Sequence, residues 1–151
     1  MNRLLFLSVG ALMASSTLAS LACAAEASAE RDVRAVLDAQ AQAWNRGDID
    51  GYMNGYARGD ATQFISGDTL TRGWQTVRDR YASRYDTREK MGTLAFSEVA
   101  VRMLAADAAL ATGRWELARA ADKPHGRFTL VLRRLPQGWR IVHDHTSSAP
   151  D

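Results

Sequence analysis

The side chains best suited to chemistry in this 151-residue chain are three histidines and a set of tyrosines. His143 and His145 stand two positions apart near the C-terminus, with Asp144 between them. Side chains alternate along a strand, so this spacing predicts both imidazoles on one face and Asp144 on the other. Two imidazoles can begin a metal site, but a metal needs a third or fourth ligand. The remaining histidine, His125, falls in the turn cluster Lys123-Pro124-His125-Gly126. No metal is therefore expected. Two uses remain for the pair: hydrogen bonding within a pocket, or general acid-base work, since imidazole titrates near neutrality.

Other signatures of chemistry are missing. The chain has no glycine-rich phosphate loop, no zinc-type cysteine pairing and no nucleophile elbow, so no cofactor is expected. Ser147 and Ser148 follow His145, but adjacency in sequence does not make a triad.

Trp44, Tyr56, Phe64, Tyr81, Trp115, Phe128 and Trp139 form the aromatic set. Each alone reads as core packing. Together, in a small domain, they suit a pocket with apolar walls and a few polar groups. The expected pocket set is Trp44, Tyr56, Phe64, Tyr81, Trp115 and Phe128, with His143 and His145 as its polar members. Buried tyrosine and histidine need partners, which a ligand or ordered water would supply.

The elements that must position these residues follow from periodicity. Val33, Val36, Leu37, Gln40, Ala43 and Trp44 recur at helical spacing, predicting a helix over Glu30 to Arg46 that ends at Gly47. Asp48 can cap a short second helix carrying Tyr52, Met53 and Tyr56. Ala61 to Ser66 and Leu70 to Arg72 read as short strands around a Gly67-Asp68 turn, and Trp74 to Tyr85 as a third helix. After Gly92 the period becomes alternating. Four strands follow, marked by Leu94 to Met103, Ala109 to Leu117, Phe128 to Leu132 and Trp139 to His145, with an irregularity in the first near Glu98. Helices first and antiparallel strands after them predict an α+β fold, with helices packed on one face of a curved, mostly antiparallel sheet.

The N-terminus reads as an export signal. Arg3 precedes an apolar run, Leu4 to Leu12, and small residues dominate from Ala14 to Ala25. The run is too short for a membrane span, which needs about 20 apolar residues. Ala22-Cys23-Ala24 fits cleavage before Ala25, and Cys23-Ala24-Ala25 fits cleavage before Glu26. Cys23 raises a rival, a lipid anchor on that cysteine, but Ser20 stands where lipoprotein signals usually carry Leu. The expected organisation is a signal over 1–25, one domain over 26–148 and a frayed tail over 149–151. The destination would be the periplasm or beyond, with a mature domain free of disulfides.

Without Arg3 the chain has 18 basic residues against 17 acidic ones. That balance argues against nucleic acid or an anionic membrane as main partner.

Several segments are familiar as a set: Ala43-Trp44-Asn45-Arg46-Gly47-Asp48, Tyr56-Ala57-Arg58-Gly59-Asp60-Ala61, Gly126-Arg127-Phe128-Thr129-Leu130, and the closing run from Gly138 through Trp139, His143, Asp144 and His145 to Ser148. They resemble the SnoaL-like proteins of the nuclear-transport-factor-2-like superfamily. Within it the pattern is most similar to the domain of unknown function 4440 group, and at the closing strand to the calcium/calmodulin-dependent kinase II association domain.

The resemblance implies a cone-shaped fold with a pocket between sheet and helices, and commonly a homodimer formed through the sheet. It does not imply one chemistry, because isomerases, cyclases, hydrolases, binding modules and assembly domains share the scaffold. The steroid isomerases of the superfamily carry their base a few residues after an Asp-Ala turn. Matching Asp60-Ala61-Thr62 to that turn places Ile65 there, which cannot take a proton. Epoxide hydrolysis on this scaffold needs an Asp-Arg-Asp set. Arg114 and Glu116 flank Trp115 and face away from the pocket if Trp115 faces in. The leading expectation is a domain that binds a small apolar molecule. The alternatives are a SnoaL-like enzyme or a homodimeric assembly module.

Overall fold

The computed structural model describes residues 10–149. Most of the expected signal's charged and apolar start, residues 1–9, and the last two residues of the expected tail lie outside it. Among the described residues, no helix is long and apolar enough to cross a membrane.

Helix α1 runs from Gly10 to Asn45, continuing well before the expected start at Glu30. The residues ahead of Glu30 include many alanines and no proline, so nothing in them breaks a helix. Val33, Leu37, Gln40, Ala43 and Trp44 make its buried stripe. Gly47, with φ +84°, takes the left-handed conformation that ends the element. Asp48 then caps α2 (Ile49–Met53), accepting from the Gly51 amide at 2.7 Å. Strands β1 (Gln63–Ser66) and β2 (Thr69–Arg72) form a hairpin ahead of α3 (Trp74–Arg84). A one-turn helix not foreseen from the sequence, α4 (Arg88–Met91), follows. Its Thr87 cap accepts from the Lys90 amide, and Met91 joins the core.

The long strands are β3 (Thr93–Ala105), β4 (Ala108–Ala118), β5 (His125–Leu135) and β6 (Gly138–Thr146). All six strands form one sheet in the order β2-β1-β6-β5-β4-β3. Only β1 and β6 run parallel; the other pairs are antiparallel. The fold is α+β, with the helices packed against one face of a mostly antiparallel sheet.

Of three register shifts in the sheet, one lies beside the β3–β4 turn, between Met103 and Ala105, and two shape the body of the strands. In β3 the pairing with β4 slips between Ser97 and Ala100, and Glu98 sits at φ +52°. This is the irregularity expected near Glu98. In β6, Val131 of β5 pairs with His143 while Leu132 pairs with Ile141, leaving Val142 as an extra residue. This second bulge reverses the phase of everything after it. Trp139 and Ile141 face the core; beyond the bulge the inward residue is Asp144, and His143 and His145 turn outward.

Candidate functional site

Helices and sheet enclose a cavity of about 110 Å³. Trp44 of α1 forms one wall, with its ring 4.7 Å from Tyr85 and 5.2 Å from Tyr52. Its indole N–H donates to the Met91 carbonyl at 3.1 Å, so α4 fixes the ring. Tyr81 of α3 meets Tyr52 at 5.2 Å and Phe64 of β1 at 5.4 Å. Phe96 and Phe128 form an edge-to-face pair at 5.4 Å on the opposite wall. Trp115 also lines the cavity, and its N–H donates to the Ser147 carbonyl at 3.0 Å.

The cavity contains one acid, Asp144, and sequence alternation had turned it away. It is 5 % exposed. Tyr56 donates its hydroxyl proton to Asp144 Oδ2 at 2.6 Å. The other oxygen, Oδ1, is buried with no protein partner. Burial pushes the Asp144 carboxyl up to about 7; the Tyr56 hydrogen bond pulls the other way and does not prevent it. Burial also raises the Tyr52, Tyr56 and Tyr81 hydroxyls above the ordinary tyrosine range, so all three stay protonated donors near neutral pH. Tyr52 and Tyr81 place their hydroxyls 3.4 Å apart.

Backbone pairing builds this contact. Residues that follow α2 clasp β6 at Ile141: the Ala57 amide donates to the Ile141 carbonyl and the Ile141 amide to the Gly55 carbonyl, each at 2.8 Å. The clasp holds Tyr56 beside β6 just ahead of the Val142 bulge. Beyond the bulge β1 takes over as neighbour, with Phe64 in register with Asp144. Tyr56, Phe64 and Asp144 thus converge on the same inner surface.

Of the expected pocket residues, Trp44, Tyr56, Phe64, Tyr81, Trp115 and Phe128 surround this cavity. His143 and His145 do not line it. The Val142 bulge places them on the outer face, where His143 Nδ1 lies 3.2 Å from Gln63 Oε1. His125 does not fall in the expected turn: it opens strand β5 opposite Glu116, with Nδ1 3.0 Å from the Lys123 carbonyl oxygen. No cluster of three metal-ligating side chains occurs among the described residues. Ile65 pairs with His145 and also lies outside the cavity, while its neighbour Phe64 faces in. Arg114 and Glu116 pair with each other at 3.6 Å, away from the cavity lining. A sequence signal for Asp144 did exist: it is the one acid inside β6, Gly138–Thr146. Only the bulge told which way it points.

The comparisons agree with this geometry. The model of the SnoaL-like domain matches residues 33–151. An NTF-2 like protein of unknown function from Shewanella oneidensis MR-1 is 37% identical over 78% of this chain and 98% of its own, with a TM-score of 0.75. A protein from Xanthomonas campestris assigned as a calcium/calmodulin-dependent protein kinase II association domain shares the fold at 17% identity, covering 80% and 88% of the two chains with a TM-score of 0.64. A ketosteroid isomerase-like protein from Erwinia carotovora atroseptica SCRI1043 does so at 22% identity, covering 79% and 95% with a TM-score of 0.63. No functionally curated protein matches the chain. With the family model covering most of its length and a relative of the same fold at that identity, the chain belongs to the SnoaL-like family of nuclear-transport-factor-2-like proteins.

Proposed function

We propose that this protein binds a small, largely apolar molecule in the cavity, with Asp144 holding its polar end. One observation carries the reading: Asp144 Oδ1 is buried without a partner inside an aromatic-walled cavity. An orphaned buried oxygen costs about 1–3 kcal/mol, which a ligand group reaching it would recover. Native mass spectrometry on protein from its own host tests this, alongside saturation-transfer NMR with monocyclic alcohols and phenols. A retained small molecule, or transfer to those probes, is expected. Absence of both rejects the reading.

A second reading, a SnoaL-like enzyme, is favoured by the acidity of Asp144. A buried carboxyl titrating near neutrality beside a tyrosine donor is suited to general acid-base work. Its test is deuterium uptake by cyclic ketones in D2O. Exchange by the wild type that Asp144→Asn abolishes supports it; exchange at the buffer rate rejects it.

Two properties of the whole chain belong to the same proposal. The N-terminal segment directs export to the periplasm or beyond, with cleavage before Ala25 or Glu26. Such a cut falls inside α1 and leaves the core-facing stripe from Val33 onward intact. The mass of the exported protein decides this, and an acyl increment on Cys23 would replace cleavage by anchoring. The domain further forms a homodimer through the outer face of the sheet, where Leu110 lies opposite Val131 away from the cavity. A monomeric mass by light scattering at micromolar concentration would reject that.

A further inference from the structure

The same cavity is lined by two guanidiniums that have no acid to hold. Arg80 and Arg84 stand four positions apart on α3, and both border the cavity. Among the described residues neither forms an ion pair, whereas Arg78, Arg119 and Arg127 each meet a carboxylate. Arg80 is braced rather than neutralised. It donates from Nη1 to Thr71 Oγ1 at 2.8 Å, and its guanidinium lies 5.3 Å from the centre of the Phe64 ring. Arg84 lies 5.8 Å from the Tyr85 ring centre. Asp144 does not serve as their counter-ion: it lies buried, and its side-chain partner is the Tyr56 hydroxyl.

The polar groups therefore divide by depth. Arg84 is exposed and Arg80 half-buried at the rim, while Asp144 is buried. Phe64 links the two ends, touching Arg80 through its ring and standing in register with Asp144. The volume limits what lies between. An enclosed apolar cavity needs about 150 Å³ to accept benzene, so at about 110 Å³ this one leaves no room for a fused polycycle, and even a single ring must extend toward the open rim where Arg84 stands.

Resting on the pocket reading above, we propose that the occupant is a monocyclic carboxylate with a hydroxyl at its far end. The carboxylate meets Arg80 and Arg84, the ring lies between the aromatic walls, and the hydroxyl reaches Asp144 Oδ1. A carboxylate matches the planar guanidinium fork. A hydroxyl both donates and accepts, so it satisfies Oδ1 whether Asp144 is ionised or protonated.

The test titrates the full-length protein with 3-(4-hydroxyphenyl)propionate, its neutral amide, and 3-phenylpropionate, following tryptophan fluorescence. The carboxylate should bind about tenfold more tightly than the amide, as a charge-assisted pair of bonds would give. The double variant Arg80→Gln/Arg84→Gln should erase that advantage, bringing carboxylate and amide to equal affinity. Arg72→Gln, an exposed arginine outside the cavity lining, should keep it, which separates a local anchor from overall charge. Loss of the hydroxyl should weaken binding severalfold. Amide and carboxylate binding equally would overturn the anion anchor while the pocket reading stands. No binding by any of the three would overturn both.

Discussion

The Tyr56 hydroxyl donates to Asp144 Oδ2 across 2.6 Å, joining residues 88 positions apart. Each partner is fixed by a different irregularity of one strand. The clasp at Ile141 holds Tyr56, and the bulge at Val142 turns Asp144 inward. One hydrogen bond is too little to keep a carboxylate ionised in an aromatic cavity. Desolvation prevails and the group titrates near 7.

Tyr56→Phe removes the one protein donor to Asp144. The carboxyl should then titrate above its present value of about 7, because the lost bond was the influence lowering it. Stability should fall by about 1–3 kcal/mol, the cost of leaving buried Oδ2 without a partner. Carbon-13 NMR of the Asp144 carboxyl and denaturant midpoints measure both. A folded variant whose carboxyl titrates unchanged or lower would show that the bond does not set its acidity.

Asp144 also predicts how stability varies with pH. Its folded value, about 7, lies above the ordinary 3.8. Between those values the native state holds a proton that the unfolded state has lost, so stability falls as pH rises from about 4 to about 7 and then levels. The full effect is on the order of 4 kcal/mol. Asp48, Asp50, Asp86 and Glu89 have lowered values, so their contribution is lost only at more acid pH. Asp144→Asn should abolish the slope and be more stable than wild type at pH 8. Urea midpoints at pH 5 and pH 8 check this; a wild type more stable at pH 8 than at pH 5 would contradict it.

Periodicity carried most of the fold and part of the site. The Val33–Trp44 stripe, the alternation of β4 and the Glu98 irregularity follow from side-chain size and spacing. So do six of the nine aromatic residues around the cavity; Tyr52, Tyr85 and Phe96 complete its walls without having been expected there. The error at β6 has one cause. The hydrophobic pattern of Trp139 and Ile141 fixes the phase up to the bulge, and strict alternation then sends His143 and His145 inward. Val142 interrupts that alternation, and its bulge depends on non-local pairing with the Gly55–Ala57 clasp on one side and β1 on the other. Nothing local to residues 139–146 encodes it. Helix α4 was missed for a related reason: a single turn has too few residues for a periodic signal, and its cap at Thr87 is its main local mark.

The outward placement of the histidines predicts a silent pair of substitutions. His143→Gln and His145→Gln together should leave probe binding in the cavity unchanged. Each change keeps polar surface on the outer face, and Gln at 143 can still meet Gln63. Fluorescence titration of the double variant is the check. A severalfold loss of affinity would mean that the histidines reach the cavity after all.

Gly113 predicts the opposite, a small change with a large effect. It lies in β4 opposite Phe128, and a Cβ built there would stand 2.5 Å from Phe128 Cζ and 2.8 Å from Cε1. The Phe128 ring crosses the space that any larger residue would fill, and it packs edge-on against Phe96 at the cavity wall. Gly113→Ala must turn that ring, disturbing the pair and narrowing the cavity. The expected cost is about 1–3 kcal/mol, the range for overpacking a filled interior, together with weaker binding of ring-bearing probes. Adding Phe128→Leu removes the clashing ring atoms and should recover part of the stability. A Gly113→Ala variant with an unchanged denaturation midpoint would show instead that Phe128 moves aside freely and does not form a fixed wall of the site.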